Sequence, residues 1–510
     1  MLNQGFLILD FGSQVTQLIA RRLREMGHYC EIQPWHWSME NIRAAAPKGI
    51  ILSGGPASVY EKDSPQKDVR QLAEVAPLMG ICYGMQLMAQ GFGGRVHRAE
   101  QREYGHHQVS WKIPVPEVPT LQKVWMSHGD VVDQLPEGFS LSAVSENQHP
   151  AAMVDERRKL FAVQFHPEVV HSEKGSQVLK YFTQVLCQAS TDWTAPHLLE
   201  VLQKKVLQQV GPKDHVLCAL SGGVDSSVLA VLLTKTLGRD RVYCVFVNNG
   251  LLRKNEFEDV LHLYQDQGLN IRGVDAKNEF LSELAGVEDP ETKRKIIGRV
   301  FIEVFDKNLS SEKVQWLAQG TLYPDVIESV SALGGPSQTI KSHHNVGGLP
   351  EKMKLKLLEP FRELFKDEVR LLGQQLGLPE TLVQRHPFPG PGLSIRVLGE
   401  VNEEALSILR EADAIFIRHL REKNLYSKVW QAFCVLLPVK TVGVQGDGRT
   451  YEKILALRAV TSIDGMTADW YPFTHEFLRD VSSEITNKVR GVNRVVMDIT
   501  SKPPATIEWE

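Results

Sequence analysis

The sequence predicts an α/β fold of several domains, and three observations support this prediction. The 510 residues exceed what a single hydrophobic core usually organises, and ~3–4 domains are expected for this length. Short apolar runs of strand length alternate with amphipathic helical runs, which favours mainly parallel sheets. The hydrophobic fraction of 43% and the charged fraction of 23% are ordinary for a globular protein. We therefore expect successive α/β domains along the chain.

The composition excludes several classes of protein. The formal net charge of −4 does not favour a broad nucleic-acid-binding surface. Six cysteines without a C-x-x-C pair argue against a disulfide framework or a zinc site, and they favour a reducing compartment. The first residues lack a basic segment, and no apolar stretch is long enough to cross a membrane. The sequence thus predicts a soluble cytoplasmic protein that binds neither nucleic acid nor membranes.

The first part of the chain has the pattern of an α/β domain. Strands are expected at 6–9 and 49–52, and the segment 10–14 leads into an amphipathic helix. The second strand runs into the turn Gly54-Gly55-Pro56. A further apolar strand runs into Cys82, and a helical pattern follows it.

Cys82 is the candidate nucleophile of this domain. It stands in the sequence Gly80-Ile81-Cys82-Tyr83-Gly84, a G-x-C-x-G frame that resembles a nucleophile elbow with cysteine in place of serine. A sharp turn exposes the sulfur, and the adjacent helix N-terminus favours the thiolate. The alternative is a buried structural cysteine, the usual state of a free cysteine. The glycine frame argues against that alternative.

A cysteine nucleophile needs a base and a group that orients the base. The apolar strand 161–165 ends in His166-Pro167-Glu168, and residues two apart in an extended chain point to one side. His166 is therefore the candidate base and Glu168 its orienting group, although His-Pro-Glu alone is more often a strand-ending turn. The N–H groups of the Gly54-Gly55-Pro56 turn and of Tyr83 are candidates for an oxyanion hole.

The other histidines do not form a metal site by their spacing. His106 and His107 are adjacent, as are His343 and His344, and neighbours on a strand point to opposite faces. His128 lies in the segment 126–130, which we interpret as a loop. This loop either faces the site of Cys82 or is simply polar surface, and we interpret His128 as a polar surface residue.

The central part of the chain carries a predicted phosphate-binding loop. The segment 189–196 loses apolar periodicity and is interpreted as a linker, and a helix is expected at about 197–210. The strand 216–220 then leads into Ser221-Gly222-Gly223-Val224-Asp225-Ser226-Ser227, and a helical run follows. The glycines permit a tight turn and the close approach of a ligand. Backbone N–H groups and hydroxyls at a helix start bind phosphate oxygens.

Asp225 places a negative charge in this loop, which is favourable if Mg²⁺ lies between its carboxylate and the phosphates. The loop is not a Walker P-loop, because no Gly-Lys dipeptide occurs in the chain. An ordinary Gly/Ser-rich turn is the alternative. The run SGGVDSS resembles the pyrophosphate-binding loop of the ATP pyrophosphatases, which cleave ATP between the α and β phosphates and adenylate a substrate oxygen.

Further segments are expected to complete the nucleotide site. Strands at 241–247 and 316–322 should end beside the loop, at the carboxyl edge of a parallel sheet. The glycine-rich segment 331–350 is predicted to be a lid, with Lys341 meeting phosphate oxygens or simply solvated. The segment 365–368 should open a helix whose acidic residues suit the helix dipole.

The stiff run 386–392 cannot form a helix or a central strand, so it marks the start of a third domain. Helices and strands alternate beyond it, up to the segment 502–510. This segment combines basic and acidic residues with prolines and has low polarity. We therefore predict a fixed tail rather than a frayed terminus.

Three stretches resemble the class I glutamine amidotransferases: SGGP at 53–56, GICYGMQ at 80–86 and FHPE at 165–168. In that family the cysteine attacks the amide of glutamine, a glutamyl thioester forms and ammonia leaves. By position, the resemblance makes Cys82 the nucleophile, His166 the base and acid, and Glu168 its orienting group. It also places Gln86 near the bound glutamine.

Nearly the whole chain resembles the glutamine-hydrolysing GMP synthases, through the stretches DPETKRKIIG, HHNVGGLP, RHPFPGPGL, VGVQGDGR and KPPATIEWE. The resemblance implies an amidotransferase domain (1–192), an ATP pyrophosphatase domain with an open parallel sheet (193–384) and a small α+β domain that forms a homodimer (385–510). It implies that XMP contacts three residues of the tail, Lys502, Ile507 and Glu508. It also implies that Lys341, Lys366 and Asp367 act on the ATP side of the reaction. Mg²⁺ accompanies ATP, and no tightly bound organic cofactor is implied.

The implied reaction transfers AMP to the C2 oxygen of XMP, releases pyrophosphate, and lets ammonia from glutamine displace AMP. Two other functions stay open. A related loop occurs in enzymes that modify tRNA, but these would need a basic face or paired cysteines, which the sequence lacks. A non-catalytic nucleotide-binding regulator is the second alternative, and the intact Cys82, His166, Glu168 and SGGVDSS argue against it.

Overall fold

The computed structural model describes residues 5–309, 314–323, 355–445, 448–462 and 467–510. The described residues form two compact units, the first from Gly5 to Leu198 and the second from Leu199 to Glu510. The predicted lid at 331–350, with Lys341, lies outside the described residues.

A nine-stranded mixed sheet organises the first unit. Its strands are β1 (Phe6–Asp10), β2 (Cys30–Pro34), β3 (Gly49–Leu52), β4 (Leu78–Ile81), β5 (Arg95–Trp111), β6 (Leu121–Gln134), β7 (Ser140–Ser145), β8 (Pro150–Asp155) and β9 (Leu160–Val163). Their order is β2-β1-β3-β4-β9-β8-β7-β5-β6. The strands from β2 to β9 in this order are parallel, and the remaining four add antiparallel pairs.

Helices cover this sheet and connect its strands. They are α1 (Thr16–Glu25), α2 (Met39–Ala45), α3 (Val69–Val75), α4 (Tyr83–Gly91) and α5 (Gly175–Lys180), and α5 continues as a π-helical turn at Tyr181–Leu186. The strands β1, β3 and β4 are buried along their whole length, because parallel strands are covered on both faces. Since β3 and β4 are parallel neighbours, the residues that follow them, Ser53 and Cys82, lie at the same edge of the sheet.

A five-stranded parallel sheet forms the first half of the second unit. Its strands are β10 (Val216–Leu220), β11 (Val242–Asn248), β12 (Ile271–Asp275), β13 (Trp316–Ala318) and β14 (Lys356–Leu358), in the order β12-β11-β10-β13-β14. The helices are α6 (Ala195–Gln209), α7 (Val224–Leu237), α8 (Glu256–Asp266), α9 (Lys277–Leu284), α10 (Pro290–Leu309), α11 (Lys366–Gln375) and α12 (Glu380–Val383), with a 3₁₀ turn at Arg239–Arg241. The strand β10 lies between β11 and β13, so the predicted convergence of these three strand ends is confirmed.

A four-stranded sheet and two long helices complete the second unit. The strands are β15 (Gln431–Gln445), β16 (Gly448–Thr461), β17 (Asp469–Trp470) and β18 (Val492–Met497), and the helices are α13 (Glu403–Glu422) and α14 (His475–Lys488), with 3₁₀ turns at Gly392–Arg396 and Tyr426–Lys428. β16 pairs antiparallel with β15 and parallel with β18. One apolar core joins this sheet to the first half of the unit, since it includes Leu217 of β10, Phe280 of α9 and Phe416 of α13.

The predicted fold class, an α/β chain with parallel sheets and a small C-terminal sheet, is confirmed by this arrangement. The predicted boundaries at 192/193 and 384/385 stay predictions. Among the described residues, no helix combines the length and apolarity that a membrane span requires.

Candidate active sites

Cys82 lies at the sharp turn between β4 and α4. Its φ of +52° is a left-handed conformation that is strained for a residue with a side chain. The flanking glycines are required by close approach: a Cβ atom on Gly80 would lie 2.5 Å from the backbone of Gly84, and one on Gly84 would lie 2.4 Å from the Leu52 carbonyl oxygen. The Cys82 N–H donates to the Val163 carbonyl at 2.8 Å. The G-x-C-x-G frame therefore fixes the thiol at the edge of the sheet.

His166 and Glu168 lie beside this thiol. The distance from His166 Nδ1 to Glu168 Oε1 is 2.8 Å, and both residues are buried. The Cys82 thiol also interacts electrostatically with the His166 ring. Burial by itself would lower the pKa of His166, but the Glu168 carboxylate and the Cys82 thiol raise this pKa well above its usual value. The three side chains can therefore act as nucleophile, proton carrier and orienting carboxylate.

The sequence did not identify the residues that hold this pair in place. The His166 N–H donates to the Trp125 carbonyl at 3.0 Å, and the Ser172 hydroxyl donates to the His166 carbonyl at 2.6 Å. Arg22 Nε donates to the Glu168 carbonyl at 3.1 Å. Arg22 and Trp125 are far from His166 in the sequence, and Ser172 lies beyond the FHPE motif, so the motif does not indicate these contacts.

The two oxyanion candidates are also close to the thiol. A Cβ atom on Gly54 would lie 3.0 Å from His166 Cε1 and 3.7 Å from Cys82 Cβ, so only glycine fits there without displacement. Tyr83 is the first residue of α4, and an N–H at this position has no acceptor within the helix. Such an N–H can stabilise an oxyanion that forms on the substrate.

A cleft of about 790 Å³ opens at Cys82. Gly55, Tyr83 and Gln86 contribute to its wall, together with the segment Ser127–Asp130 of β6. The Ser127 carbonyl lies 3.7 Å from Cys82 Sγ, and Gln86 Nε2 donates to the Asp130 carbonyl at 3.2 Å. The volume is in the range of small-molecule sites.

The interpretation of His128 as a surface residue in a loop was wrong. The segment 126–130 belongs to β6, and only 4% of His128 is exposed. Its Nε2 lies 2.9 Å from Glu103 Oε2, and its Nδ1 donates to the Asp130 carbonyl at 2.9 Å. Glu103 lies on β5, so a local reading of residues 126–130 does not reveal this partner.

The segment 221–227 forms the predicted turn between β10 and α7. Gly222 has a φ of +73°, and Gly223 precedes the helix as its N-cap. Ser226 Oγ accepts from the Ser221 N–H at 3.2 Å, and the Ser227 hydroxyl donates to the Gly223 carbonyl at 2.6 Å. These bonds hold the turn with the first N–H groups of a long helix at its mouth, which is the geometry that binds phosphate.

Asp225 and Lys366 meet at this loop. Lys366 Nζ lies 3.8 Å from Asp225 Oδ2, and both side chains are partly exposed. A solvent-accessible carboxylate fits Mg²⁺, which takes oxygen ligands and usually shares its sphere with water and phosphates. The described part of the chain contains no cluster of three or more His, Cys, Asp or Glu arranged for a metal. Asp367 follows Lys366 in the first turn of α11, and Lys341 lies outside the described residues.

Arg385 braces the phosphate loop, and the sequence analysis missed it. Its Nη1 donates to the Gly222 carbonyl at 2.7 Å, and its Nη2 pairs with the buried carboxylate of Glu256 in α8. A guanidinium held in this way fixes the position of the Gly222 carbonyl, and with it the backbone of the loop. The only feature of the sequence that could have indicated Arg385 is its position directly before the stiff run 386–392.

The predicted fixed tail is confirmed. Ile507 is buried among Phe433, Val435 and other apolar residues of the third sheet. The Glu508 carboxylate accepts from Arg396 at 2.8 and 3.1 Å and from Gln431 at 2.6 Å. Lys502 pairs through its backbone with Ala468. The contacts of Lys502, Ile507 and Glu508 with XMP stay predictions.

Buried cations anchor the tail from two sides. Lys293 of α10 is fully buried and lies 2.7 Å from Glu510 Oε2, and it also donates to the carbonyls of Ser394 and Val397. Arg458 of β16 is fully buried and donates to three carbonyls of the segment that ends the chain, those of Thr500, Thr506 and Ile507.

Three family models match successive parts of the chain. "Glutamine amidotransferase class-I" matches residues 7–185, "NAD synthase" matches residues 196–296, and "GMP synthase C terminal domain" matches residues 418–509. The first match contains Cys82, His166 and Glu168, and the second contains the phosphate loop. These matches establish a three-domain architecture.

Curated relatives match along the full length. The glutamine-hydrolysing GMP synthase of Bdellovibrio bacteriovorus is 66% identical over 508 residues, which cover 99% of this chain and 100% of the relative. The enzymes of the same name from Nitratidesulfovibrio vulgaris and Chlorobaculum tepidum are 55% and 54% identical, each with 99% of both chains covered. Identity of this degree, over the whole chain, shows that the protein belongs to the glutamine-hydrolysing GMP synthase family.

Proposed function

We propose that this protein makes GMP from XMP, using ATP and the ammonia that it releases from glutamine, with AMP and pyrophosphate as the other products. The observation that carries this proposal is that one chain holds both a Cys82–His166–Glu168 arrangement at a nucleophile elbow and a phosphate loop at the start of α7. The first suits amide hydrolysis, and the second suits the binding of a nucleotide polyphosphate.

In the first half-reaction, the Cys82 sulfur attacks the amide carbon of glutamine. The N–H groups of Tyr83 and the 54–55 turn stabilise the oxyanion, and His166 gives its proton to the departing ammonia. Water then hydrolyses the glutamyl thioester, with His166 as the base. Glu168 keeps the imidazole ring oriented throughout and balances its positive charge.

In the second half-reaction, the C2 oxygen of XMP attacks the α phosphate of ATP, and pyrophosphate leaves. The loop 221–227 holds the phosphates through backbone N–H groups and hydroxyls. Asp225 is the residue that would hold Mg²⁺, whose charge stabilises pyrophosphate as it departs. Lys366 brings a further positive charge to the same end of the loop.

Ammonia then displaces AMP from the adenylated XMP. Ammonia in water at pH 7 is mostly ammonium, which is not a nucleophile. We therefore propose that transfer between the two centres excludes water. We assign the binding of XMP to the tail residues Lys502, Ile507 and Glu508. Lys341 and Asp367 are assigned to the ATP side of the reaction.

We further propose a homodimer through the C-terminal sheet. The strongly exposed apolar side chains of the β15–β16 hairpin include Val444 (75%), Tyr451 (61%) and Val442 (52%). Val442 and Tyr451 are paired across the hairpin, and Val444 lies two residues along the same strand, so the three share one face. An exposed apolar face of this kind marks an interaction surface.

The cytoplasm is the proposed location, with small molecules rather than nucleic acid or membranes as partners. The six cysteines are all free and buried, which suits a reducing compartment.

The decisive experiment measures pyrophosphate release from ATP by the purified chain, with XMP or with tRNA as the acceptor. We expect release with XMP, and AMP rather than ADP as the nucleotide product. Release that depends on tRNA would support a tRNA-modifying enzyme instead, and no release with either would support a regulator without catalytic activity.

A further inference from the structure

The wall of the cleft that faces Cys82 is fixed by a buried histidine that the reaction scheme above does not use. This wall is the segment Ser127–Asp130 of β6. It presents the Ser127 carbonyl to the Cys82 sulfur, at 3.7 Å. Its position relative to the thiol therefore bears directly on how the substrate and the nucleophile meet.

The buried histidine is His128, and its partner Glu103 stands directly opposite on β5. The two residues are 4% and 0% exposed, and the distance from His128 Nε2 to Glu103 Oε2 is 2.9 Å. Burial raises the pKa of Glu103, but hydrogen bonds from His128, Ser145 and Asn147 outweigh it and lower the pKa to about 2. Glu103 is therefore a carboxylate, and it lies against the Nε2 edge of the His128 ring.

The other nitrogen of the ring, Nδ1, lies 2.9 Å from the Asp130 carbonyl oxygen. A carbonyl only accepts hydrogen bonds, so Nδ1 donates. The ring thus joins a fixed carboxylate on β5 to the backbone of its own strand two residues further on. The hydrogen bond of Nδ1 and the close approach of Nε2 to the Glu103 carboxylate both act on the orientation of the ring.

The Asp130 carbonyl accepts hydrogen bonds from two side chains of the cleft. It accepts from His128 Nδ1 and from Gln86 Nε2, the latter at 3.2 Å. The Asp130 carboxylate accepts from Ser58 and Tyr60, at 2.5 and 2.8 Å, which ties the wall to the segment after the 54–55 turn. A shift of the Asp130 backbone would therefore displace Gln86, the segment Ser127–Asp130, and the contacts of Asp130 with Ser58 and Tyr60.

We propose that His128 is a positioning residue of the glutamine site, whose bond to the Asp130 carbonyl sets the cleft wall against Cys82. This inference rests on the proposed hydrolysis of glutamine at Cys82. Apolar residues of similar volume often stabilise a protein as well as a buried pair of polar side chains does. The polar pair at this position instead gives the wall a directed contact.

The test compares two variants of the full chain that break different halves of this link. His128→Gln keeps a donor that reaches Glu103 but loses the donor at the Nδ1 position. The double variant Glu103→Gln/His128→Asn keeps a donor at the Nδ1 position and leaves no unpaired buried charge. His36→Gln is the matched control, because His36 is exposed and does not line the cleft. Ammonia release from glutamine gives kcat and KM, and synthesis supported by ammonium salts reports on the second unit.

We expect kcat for ammonia release to fall ~10–10²-fold in His128→Gln, the effect of a misplacement of about 1 Å, with a much smaller change in KM. The double variant should stay within about threefold of the wild type, and both should keep ammonium-supported synthesis. A wild-type kcat in His128→Gln, or equal losses in the two variants, would overturn the inference. If the wild type itself released no ammonia through Cys82, the proposed function would fail instead.

Discussion

The Nδ1 atom of His166 lies 2.8 Å from Oε1 of Glu168, a carboxylate that is entirely shielded from solvent. The second oxygen of Glu168, Oε2, makes no hydrogen bond within the described part of the chain. The negative charge is therefore balanced mainly through the His166 ring. This explains why the pKa of His166 is raised despite its burial.

Replacing Glu168 by Gln should move the pH profile of glutamine hydrolysis. The raised pKa keeps His166 protonated at pH values above the usual histidine range. Loss of the Glu168 charge lowers the pKa of His166. The alkaline limb of the kcat/KM profile should therefore move to lower pH. In addition, kcat should fall ~10²-fold or more, because the ring loses its orienting partner. The measurement is ammonia release from glutamine against pH, and an unmoved alkaline limb would show that Glu168 does not set the charge of His166.

Replacing Cys82 by Ala should abolish glutamine-dependent synthesis and preserve synthesis from ammonium salts, because the thiol serves only the first half-reaction. Cys187→Ala is the matched control. Burial raises the pKa of Cys187 to about 12, so this thiol is not a nucleophile, and glutamine-dependent synthesis should persist. Failure of ammonium to support an intact Cys82→Ala protein would contradict the two-centre proposal.

Replacing Asp225 by Asn should slow XMP adenylation and leave glutamine hydrolysis nearly unchanged. The substitution keeps the size of the side chain and removes the charge that faces Lys366 and the proposed Mg²⁺. A loss of ~10²-fold or more is typical for one preorganised electrostatic partner. Rapid-quench measurement of pyrophosphate against Mg²⁺ concentration checks this, with the exposed Asp240→Asn as the control. A wild-type rate with wild-type Mg²⁺ dependence would remove Asp225 from the mechanism.

Replacing Glu510 by Gln should destabilise the second unit, because Lys293 is fully buried and would lose its charged partner. Breaking a buried ion pair from one side costs ~3–5 kcal/mol. Hydrogen exchange of the amides in α10 should show this loss. The control is Glu422→Gln, because Glu422 is largely exposed where it pairs with Arg418. This control should change the free energy of unfolding by less than ~0.5 kcal/mol. Equal effects of the two substitutions would show that the buried pair does not secure the tail.

Replacing Val444 by Asp should weaken the proposed dimer. The substitution introduces a charge into the apolar face of the β15–β16 hairpin, where Val444 is 75% exposed. A loss of ~1.5–3 kcal/mol corresponds to a ~10–10²-fold higher dissociation constant. Sedimentation velocity checks this, with the exposed Leu207→Asp of α6 as the control. A dimer of unchanged affinity would move the interface elsewhere.

The elements that a short local pattern encodes could be predicted from the sequence. The glycines around Cys82 and in the loop 221–227 indicate sharp turns, because a residue with a side chain would clash or be strained at these positions. Both turns occur where the sequence predicted them. The burial of His128 could not be predicted in this way, since it depends on the register that sets Glu103 opposite it. Arg385 likewise reaches the Gly222 carbonyl from far along the chain.

The pairing of Lys293 with Glu510 also constrains how the protein matures in a cell. The ribosome makes Lys293 217 residues before its carboxylate partner, an interval of ~10–40 s at ~5–20 residues per second. The sheet of the first unit is complete at Val163, so that unit can fold while synthesis continues. The second unit cannot bury Lys293 against its carboxylate partner before Glu510 has been made, and Arg396 depends on Glu508 in the same way. We therefore expect the second unit to complete its folding later than the first.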